Sequence, residues 1–269
     1  MTIEKPAETP RARDAPTEPK LVEALRRDGF VRLAARETRA LLGPAASWWD
    51  AFAETWDDLG VDRYMADGGR YRQRRHAVFH VRAGQIDRQA HQPHYQSRDY
   101  NPLNGGVERW FEAVLMMTAS HPIMRRMLKL GDRLFSAADG YGNPPCWKVE
   151  IHQFRIEAAD QAGRPTPEGF HRDGVDWVMV MLIDRRNVAD GVTQIGLPDG
   201  QSLGEFTLRA PGDAVFLDDR RVLHEVTPIH RISTSRAAHR DVLVITFSAP
   251  QDACRTPAAA PLSADLPYS

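Results

Sequence analysis

Residues Trp177 to Ile183 read Trp-Val-Met-Val-Met-Leu-Ile with no polar interruption. A short, unbroken apolar run of this kind fits a strand buried on both faces, so the fold must supply a covering layer on each side of it. The stretch just before it is polar: Gly169-Phe170-His171-Arg172-Asp173-Gly174-Val175-Asp176, following Pro165 and Pro167. Its glycines and prolines mark a loop. A polar loop feeding a doubly buried strand puts His171 and Asp173 at the mouth of whatever barrel the strand helps to build. On extended backbone, side chains two residues apart point the same way. The imidazole and the carboxylate can therefore close on one metal ion from one direction. The bare tripeptide is also what a solvated turn between strands looks like.

The half of the chain around this point is strand-rich. Trp147, Val149 and Ile151 alternate with Lys148, Glu150 and His152, and Phe154-Arg155-Ile156 continues the strand. Further strands are expected at 192–195, 205–208, 214–217 and 241–247, with turns at Asp190-Gly191 and Pro211-Gly212-Asp213. Short strands at regular spacing with Gly and Pro turns indicate a two-sheet barrel or jelly roll. The half before Pro144-Pro145 is richer in helix. Helical stripes are expected from Leu21 to Asp28, from Glu37 to Leu42, after Pro44 as far as Trp56, and over 107–118 and 123–136. Phe30–Leu33 and the basic segment Arg70–Val81 alternate like strands. His91 and His94 fall in a polar loop with no carboxylate at a fixed spacing, so they are not expected to bind metal. The expected organisation is a disordered leader over residues 1–18, one domain over 19–250 and a loose tail over 251–269. Within the domain, the helix-rich part ends near residue 144 and the jelly-roll core follows.

Composition narrows the class. The 269 residues carry a formal net charge of -1, with 42% hydrophobic and 26% charged residues. Nothing in that balance points to nucleic acid or an anionic membrane surface. No apolar run approaches the length of a membrane span. The two cysteines, Cys146 and Cys254, make neither a disulfide framework nor a Cys-x-x-Cys zinc site, and a reducing cytoplasm is the simplest compartment. The expected partner is a small molecule.

Two later residues turn His171 and Asp173 into a constellation. His224, in Leu223-His224-Glu225-Val226-Thr227, is the candidate third ligand. Two histidines and one carboxylate on one face leave the opposite positions open, which suits ferrous iron that must bind a cosubstrate and dioxygen together. Arg240 heads the last apolar strand, where a guanidinium is costly without an anionic partner. Its planar fork matches a carboxylate at two points. It can anchor the far carboxylate of a 2-oxo acid whose other end chelates the metal, which would be 2-oxoglutarate. The alternative is an ion pair with Asp241 or another surface acid, in which case Arg231 and Arg236 are the next candidate anchors.

Four segments together resemble the bacterial 2-oxoglutarate/Fe(II) dioxygenases typified by L-isoleucine dioxygenase. They are His152-Gln153-Phe154-Arg155, the run from Pro165 to Asp176, Leu223 to Ile229, and His239-Arg240-Asp241-Val242-Leu243-Val244. Tyr100-Asn101-Pro102-Leu103-Asn104-Gly105-Gly106 also fits. The resemblance covers roughly residues 20 to 250. It implies a double-stranded β-helix, mainly β with flanking helices, with iron on His171, Asp173 and His224 and 2-oxoglutarate on Arg240. It further implies hydroxylation of an unactivated carbon of a free amino acid, with dioxygen as cosubstrate, succinate and carbon dioxide as products, and ascorbate as an assisting reductant. Asp173 fills the position that a halogenase leaves vacant for halide. A free amino acid needs a cation for its carboxylate and an anion for its ammonium. Arg74, Arg155 and Asp176 are the candidates, with His152 a further pocket residue. Two other classes stay open: a cupin-like metalloenzyme on zinc, nickel or manganese that has no need of Arg240, and a non-catalytic small-molecule binding protein on the same barrel.

Overall fold

The computed structural model describes residues 16–249. The expected tail, Cys254 and all but the last three residues of the expected leader lie outside that range. The first helix begins at Glu18, inside the stretch expected to be leader.

In chain order the helices are α1 (Glu18–Asp28), α2 (Ala35–Leu42), α3 (Trp49–Ala53), α4 (Met116–Ala119) and α5 (Pro122–Ala138). The strands of the first half are β1 (Phe30–Leu33), β2 (Gly60–Val61), β3 (Arg72–Arg82), β4 (Gln85–Arg88) and β5 (Glu112–Ala113). Those of the second half begin with β6 (Trp147–Glu157), β7 (Trp177–Arg186), β8 (Val188–Asp190), β9 (Val192–Gly196) and β10 (Ser202–Thr207). They end with β11 (Ala214–Asp218), β12 (Leu223–Val226), β13 (Ile229–Arg231) and β14 (His239–Ser248).

One large sheet runs β1-β11-β7-β14-β6-β3-β2, with β4 and β5 also on β3. Strands from both halves of the chain therefore share one sheet. Opposite it lie the smaller sheets β10-β9-β12 and β13-β8. Isolated bridges His171–His224 and Gly163–Ile229 sew the metal-segment loop onto the smaller sheets. This is the jelly-roll core expected from the strand spacing.

Period-two alternation sorts the large sheet into two faces. Trp147, Val149 and Ile151 of β6, Met179 and Met181 of β7, and Leu243, Ile245 and Phe247 of β14 pack in one core with the helices. The intervening residues, among them Val178, Val180, Leu182, Val242 and Val244, face the smaller sheets. The run from Trp177 to Ile183 is apolar throughout because it meets a core on each side. Helix α5 seals the helical layer. His121 caps it by accepting from Ile123 N, and Pro122 sits where its missing N–H costs nothing. Its Ile123, Met124, Met127, Leu128, Leu134 and Phe135 are 0% exposed, each contributing about 1.5–3 kcal/mol by burial. Gly131 on this helix lies against the Phe247 ring, where any Cβ would collide.

The expected helix over 107–118 does not form. Arg109 instead exchanges backbone hydrogen bonds with His94, and Glu112–Ala113 pair in parallel with Arg75–His76. The open edge of β3 offers backbone partners that an isolated helix there would forgo, and only Met116–Ala119 turn helical.

Candidate active site

His171 and His224 are cross-strand neighbours. Each backbone N–H donates to the other's carbonyl at 3.1 Å, and their rings lie 4.4 Å apart. Asp173, two residues on, comes round to the same side. One of its carboxylate oxygens is 3.7 Å from His171 Nε2 and the other 3.7 Å from His224 Nε2. All three ligand atoms lie within 4.8 Å of one another. His171 Nδ1 is 2.9 Å from the Gly169 carbonyl. Donation there fixes the tautomer and leaves the Nε2 lone pair free to bind a metal. Burial first, then the neighbouring His171, pushes His224 down to about 4, so it is a neutral, lone-pair-bearing imidazole at neutral pH. Burial opposes charge on His171 as well, but the Asp173 and Glu168 carboxylates outweigh it and raise its pKa.

The loop between His171 and β7 is held from behind by Asp219. Its carboxylate accepts from the backbone N–H of Asp173 at 2.9 Å, Gly174 at 2.8 Å and Val175 at 3.1 Å. Burial and the Asp173 charge push it up to about 7 despite those bonds. Gly174 is in the left-handed region, with the Tyr100 ring occupying the space a Cβ would need.

Arg240 shares a cavity of about 340 Å³ with the three candidate ligands. It is 2% exposed, and its Nε and Nη2 have no hydrogen-bond partner. Burial lowers it only to about 10, so it remains a cation at neutral pH. The alternative partner Asp241 points to the other face of β14, where it accepts from Arg155 Nε at 2.9 Å and Nη2 at 2.8 Å. An unpaired buried guanidinium beside a two-histidine, one-carboxylate face fits a chelating 2-oxo dicarboxylate. Iron would sit on the three side chains and the far carboxylate on Arg240.

Register fixes the rest of the wall. Val242 pairs with Phe154 and Phe154 with Arg74; Val244 pairs with His152 and His152 with His76. The cavity floor is thus apolar on β7 and β14 and strongly polar on β6 and β3. Asp62 is 2.7 Å from Arg72 and 3.7 Å from Arg74. Arg74 stacks 3.7 Å from the Phe111 ring centre and donates to His152 Nδ1 at 2.6 Å. Glu150 accepts from His76 at 3.0 Å, His94 at 2.6 Å and Lys148 at 2.7 Å. His76, His94, Glu150 and His152 therefore form a second compact group. Its contacts to Glu150 from His76 and His94 are hydrogen-bond length, and Arg74 occupies one nitrogen of His152, leaving the other as N–H. The group is a hydrogen-bonded wall.

Of the residues expected to meet a substrate, Arg74 and His152 line the cavity and Arg155 and Asp176 do not. Arg155 has odd parity on β6, the face turned to the helices, and is spent on Asp241 and Asp57. Asp176 accepts from Ala249 N at 2.7 Å. His94 has a carboxylate after all: Glu150, brought to it by β6. Sequence reasoning also passed over Arg109, Glu168 and Asp219. The alternation of Lys148, Glu150 and His152 against a core-facing Trp147, Val149 and Ile151 carried part of that signal. A polar strand face looks solvated until the loop that covers it is known.

The sequence matches the family profile described as 2OG-Fe dioxygenase over residues 53–246. It is 24% identical over 159 residues to an L-isoleucine-4-hydroxylase from Bacillus thuringiensis and 25% identical over 157 residues to a 3(1)-hydroxy-L-isoleucine 4-dioxygenase from Pantoea ananatis. Each match takes in 58% of this chain, and 65% and 63% of those proteins. A crystal structure of a bsmA homolog from Methylobium petroleophilum superposes with a TM-score of 0.79 at 36% identity, over 86% of this chain and 93% of that one. A crystal structure of IDO from Bacillus thuringiensis shares the fold at 17% identity, with a TM-score of 0.73 over 87% of this chain and 100% of that one. The chain belongs to the 2OG-Fe dioxygenase family, whose chemistry runs on Fe(II), 2-oxoglutarate and dioxygen.

Proposed function

We propose that the protein hydroxylates an unactivated carbon of a free L-amino acid, with 2-oxoglutarate leaving as succinate and carbon dioxide. His171, Asp173 and His224 hold the iron, and Arg240 grips the far carboxylate of 2-oxoglutarate. The observation that carries the reading is the shared cavity. Its Arg240 offers a buried guanidinium with two unpartnered nitrogens, and two strands away on the same sheet Arg74 presents a second cation to another anionic group. The bound iron and cosubstrates supply the oxidising power. The chain's own part is to orient the target and keep water out. Arg74, stacked on Phe111 and held near Asp62, takes the substrate carboxylate, and the N–H of the cavity-lining His152 adds a second donor. The apolar floor from Val180, Val215, Leu217, Val242 and Val244 suits an aliphatic chain. Two relatives whose names specify isoleucine or a hydroxylated isoleucine support a small aliphatic amino acid. The test is mass spectrometry of a pool of L-amino acids incubated with protein, Fe(II), 2-oxoglutarate, ascorbate and labelled dioxygen. One member of the pool should gain one labelled oxygen while succinate accumulates. Succinate formation that no amino acid stimulates, with no label in any amino acid, would refute the substrate class.

A further inference from the structure

A zwitterionic substrate needs an anion for its ammonium, and Asp176 is turned away from the cavity. Three carboxylates line it: Glu150, Glu168 and Asp173. Asp173 belongs to the candidate iron ligands. Glu150 already accepts from Lys148, His76 and His94, and so is neutralised by its own wall. Glu168 is different. Its side chain is 8% exposed, and its Oε2 is buried with no partner. Its Oε1 has only a 3.5 Å contact from Asn101 Nδ2 and lies 3.8 Å from His171 Nε2. Glu168 does not join the His171, Asp173 and His224 group whose ligand atoms cluster within 4.8 Å. A buried carboxylate oxygen without a donor is expensive unless a cation arrives to meet it.

We propose that Glu168 receives the ammonium of the amino-acid substrate, so that the substrate is held between Glu168 beside the iron site and the cationic wall of Arg74 and Arg109. Arg109 fits the second part. It is 2% exposed and its Nε is unpartnered, while its Nη2 donates to Gln96 Oε1 at 3.3 Å. Gln96 Oε1 also accepts from Asn101 at 3.1 Å, and Asn101 is the residue that touches Glu168. The two charges that would read the zwitterion are therefore joined by one hydrogen-bonded chain on the loop that covers the cavity. Gln96 donates to the Asp173 carbonyl at 3.1 Å, which pins that loop to the iron side. Opposite charges at two fixed points select a free α-amino acid over an amine, a simple carboxylic acid or a residue within a peptide.

This assignment rests on the amino-acid reading, and one experiment separates the two. The twenty proteinogenic L-amino acids are titrated anaerobically into protein loaded with Fe(II) and 2-oxoglutarate. Each is paired with its deaminated carboxylic acid, and binding is followed by the change in the visible band. Wild type should bind at least one amino acid about ten- to a hundredfold more tightly than its deaminated partner, the ratio expected for one charge-assisted hydrogen bond. Glu168→Gln keeps the shape and removes the charge. It should weaken the amino acid by about that factor and leave the deaminated acid unchanged, so that the preference collapses. Equal weakening of both compounds would assign Glu168 to the scaffold and overturn the proposal, as would a preference that survives in Glu168→Gln. In wild type alone, a deaminated acid that binds as tightly as the amino acid would overturn it without any mutation. If wild type bound no amino acid, the amino-acid reading itself would fall and take the assignment with it.

Discussion

Arg240 makes an unusual pair of demands, because what is proposed to serve the cosubstrate burdens the free protein. Two of its nitrogens are buried without partners. Each unmet donor costs about 1–3 kcal/mol. Arg240→Met removes the charge and both unmet donors while roughly filling the space. The cosubstrate-free protein should then gain about 2–6 kcal/mol, at about 2–4 °C of melting temperature per kcal/mol for a chain near this size. With 2-oxoglutarate the sign reverses. Two charge-assisted hydrogen bonds to a carboxylate are worth about 1.5–3 kcal/mol each, so the Met variant should bind it about 10²–10⁴-fold more weakly. Arg240→Lys keeps the charge but loses the planar fork, and should lose about ten- to a hundredfold. Thermal melts with and without 2-oxoglutarate, alongside an anaerobic titration with Fe(II), read both effects. A wild type stabilised by 2-oxoglutarate and a Met variant that starts higher but does not move would fit. If Arg240→Met melts lower than wild type without ligand, or binds 2-oxoglutarate as wild type does, the guanidinium is structural and the anchor lies elsewhere.

Three further outcomes follow from the same geometry. Asp173→Ala removes the only carboxylate from the candidate ligands, so Fe(II) binding should weaken and turnover collapse while circular dichroism stays native; near-normal hydroxylation would show the triad misassigned. Asp219→Ala leaves three backbone N–H groups behind Asp173 without their acceptor, and metal affinity should fall by about 10–100-fold by equilibrium dialysis. Arg155→Ala separates the two faces of β6: it strands the buried Asp241 carboxylate and should cost about 3–5 kcal/mol in chemical denaturation, yet leave the substrate KM of the folded enzyme unchanged. A selective rise in that KM would return Arg155 to the cavity.

Much of this site is local and therefore legible. His171 and Asp173 are two residues apart, and the apolar run that follows announces a buried strand. The strand spacing after Trp147 sets the class of fold. Arg240 is distant but heads the recognisable last strand, whereas His224 lies inside β12, a four-residue strand that the spacing did not announce. What stayed hidden depends on the third dimension. The parity of β6 decides that His152 enters the cavity while Arg155 leaves it, and both can be read only once one face of the strand is known. Arg109 is buried because His94 pairs with it across a loop, a contact no period predicts. The segment from 107 to 118 has helical composition, but the open edge of β3 offers it backbone partners and prevails. Glu168 looks like one more polar loop residue until burial leaves its Oε2 without a donor.

The most direct test of the site is the visible spectrum of wild-type protein with Fe(II) and 2-oxoglutarate under anaerobic conditions. A 2-oxo acid chelating iron through two oxygens gives a weak charge-transfer band. The band should appear at a one-to-one ratio, fail to form in Asp173→Ala, and need much more 2-oxoglutarate in Arg240→Met. Tight zinc binding by wild type with no band at any 2-oxoglutarate concentration would contradict this assignment.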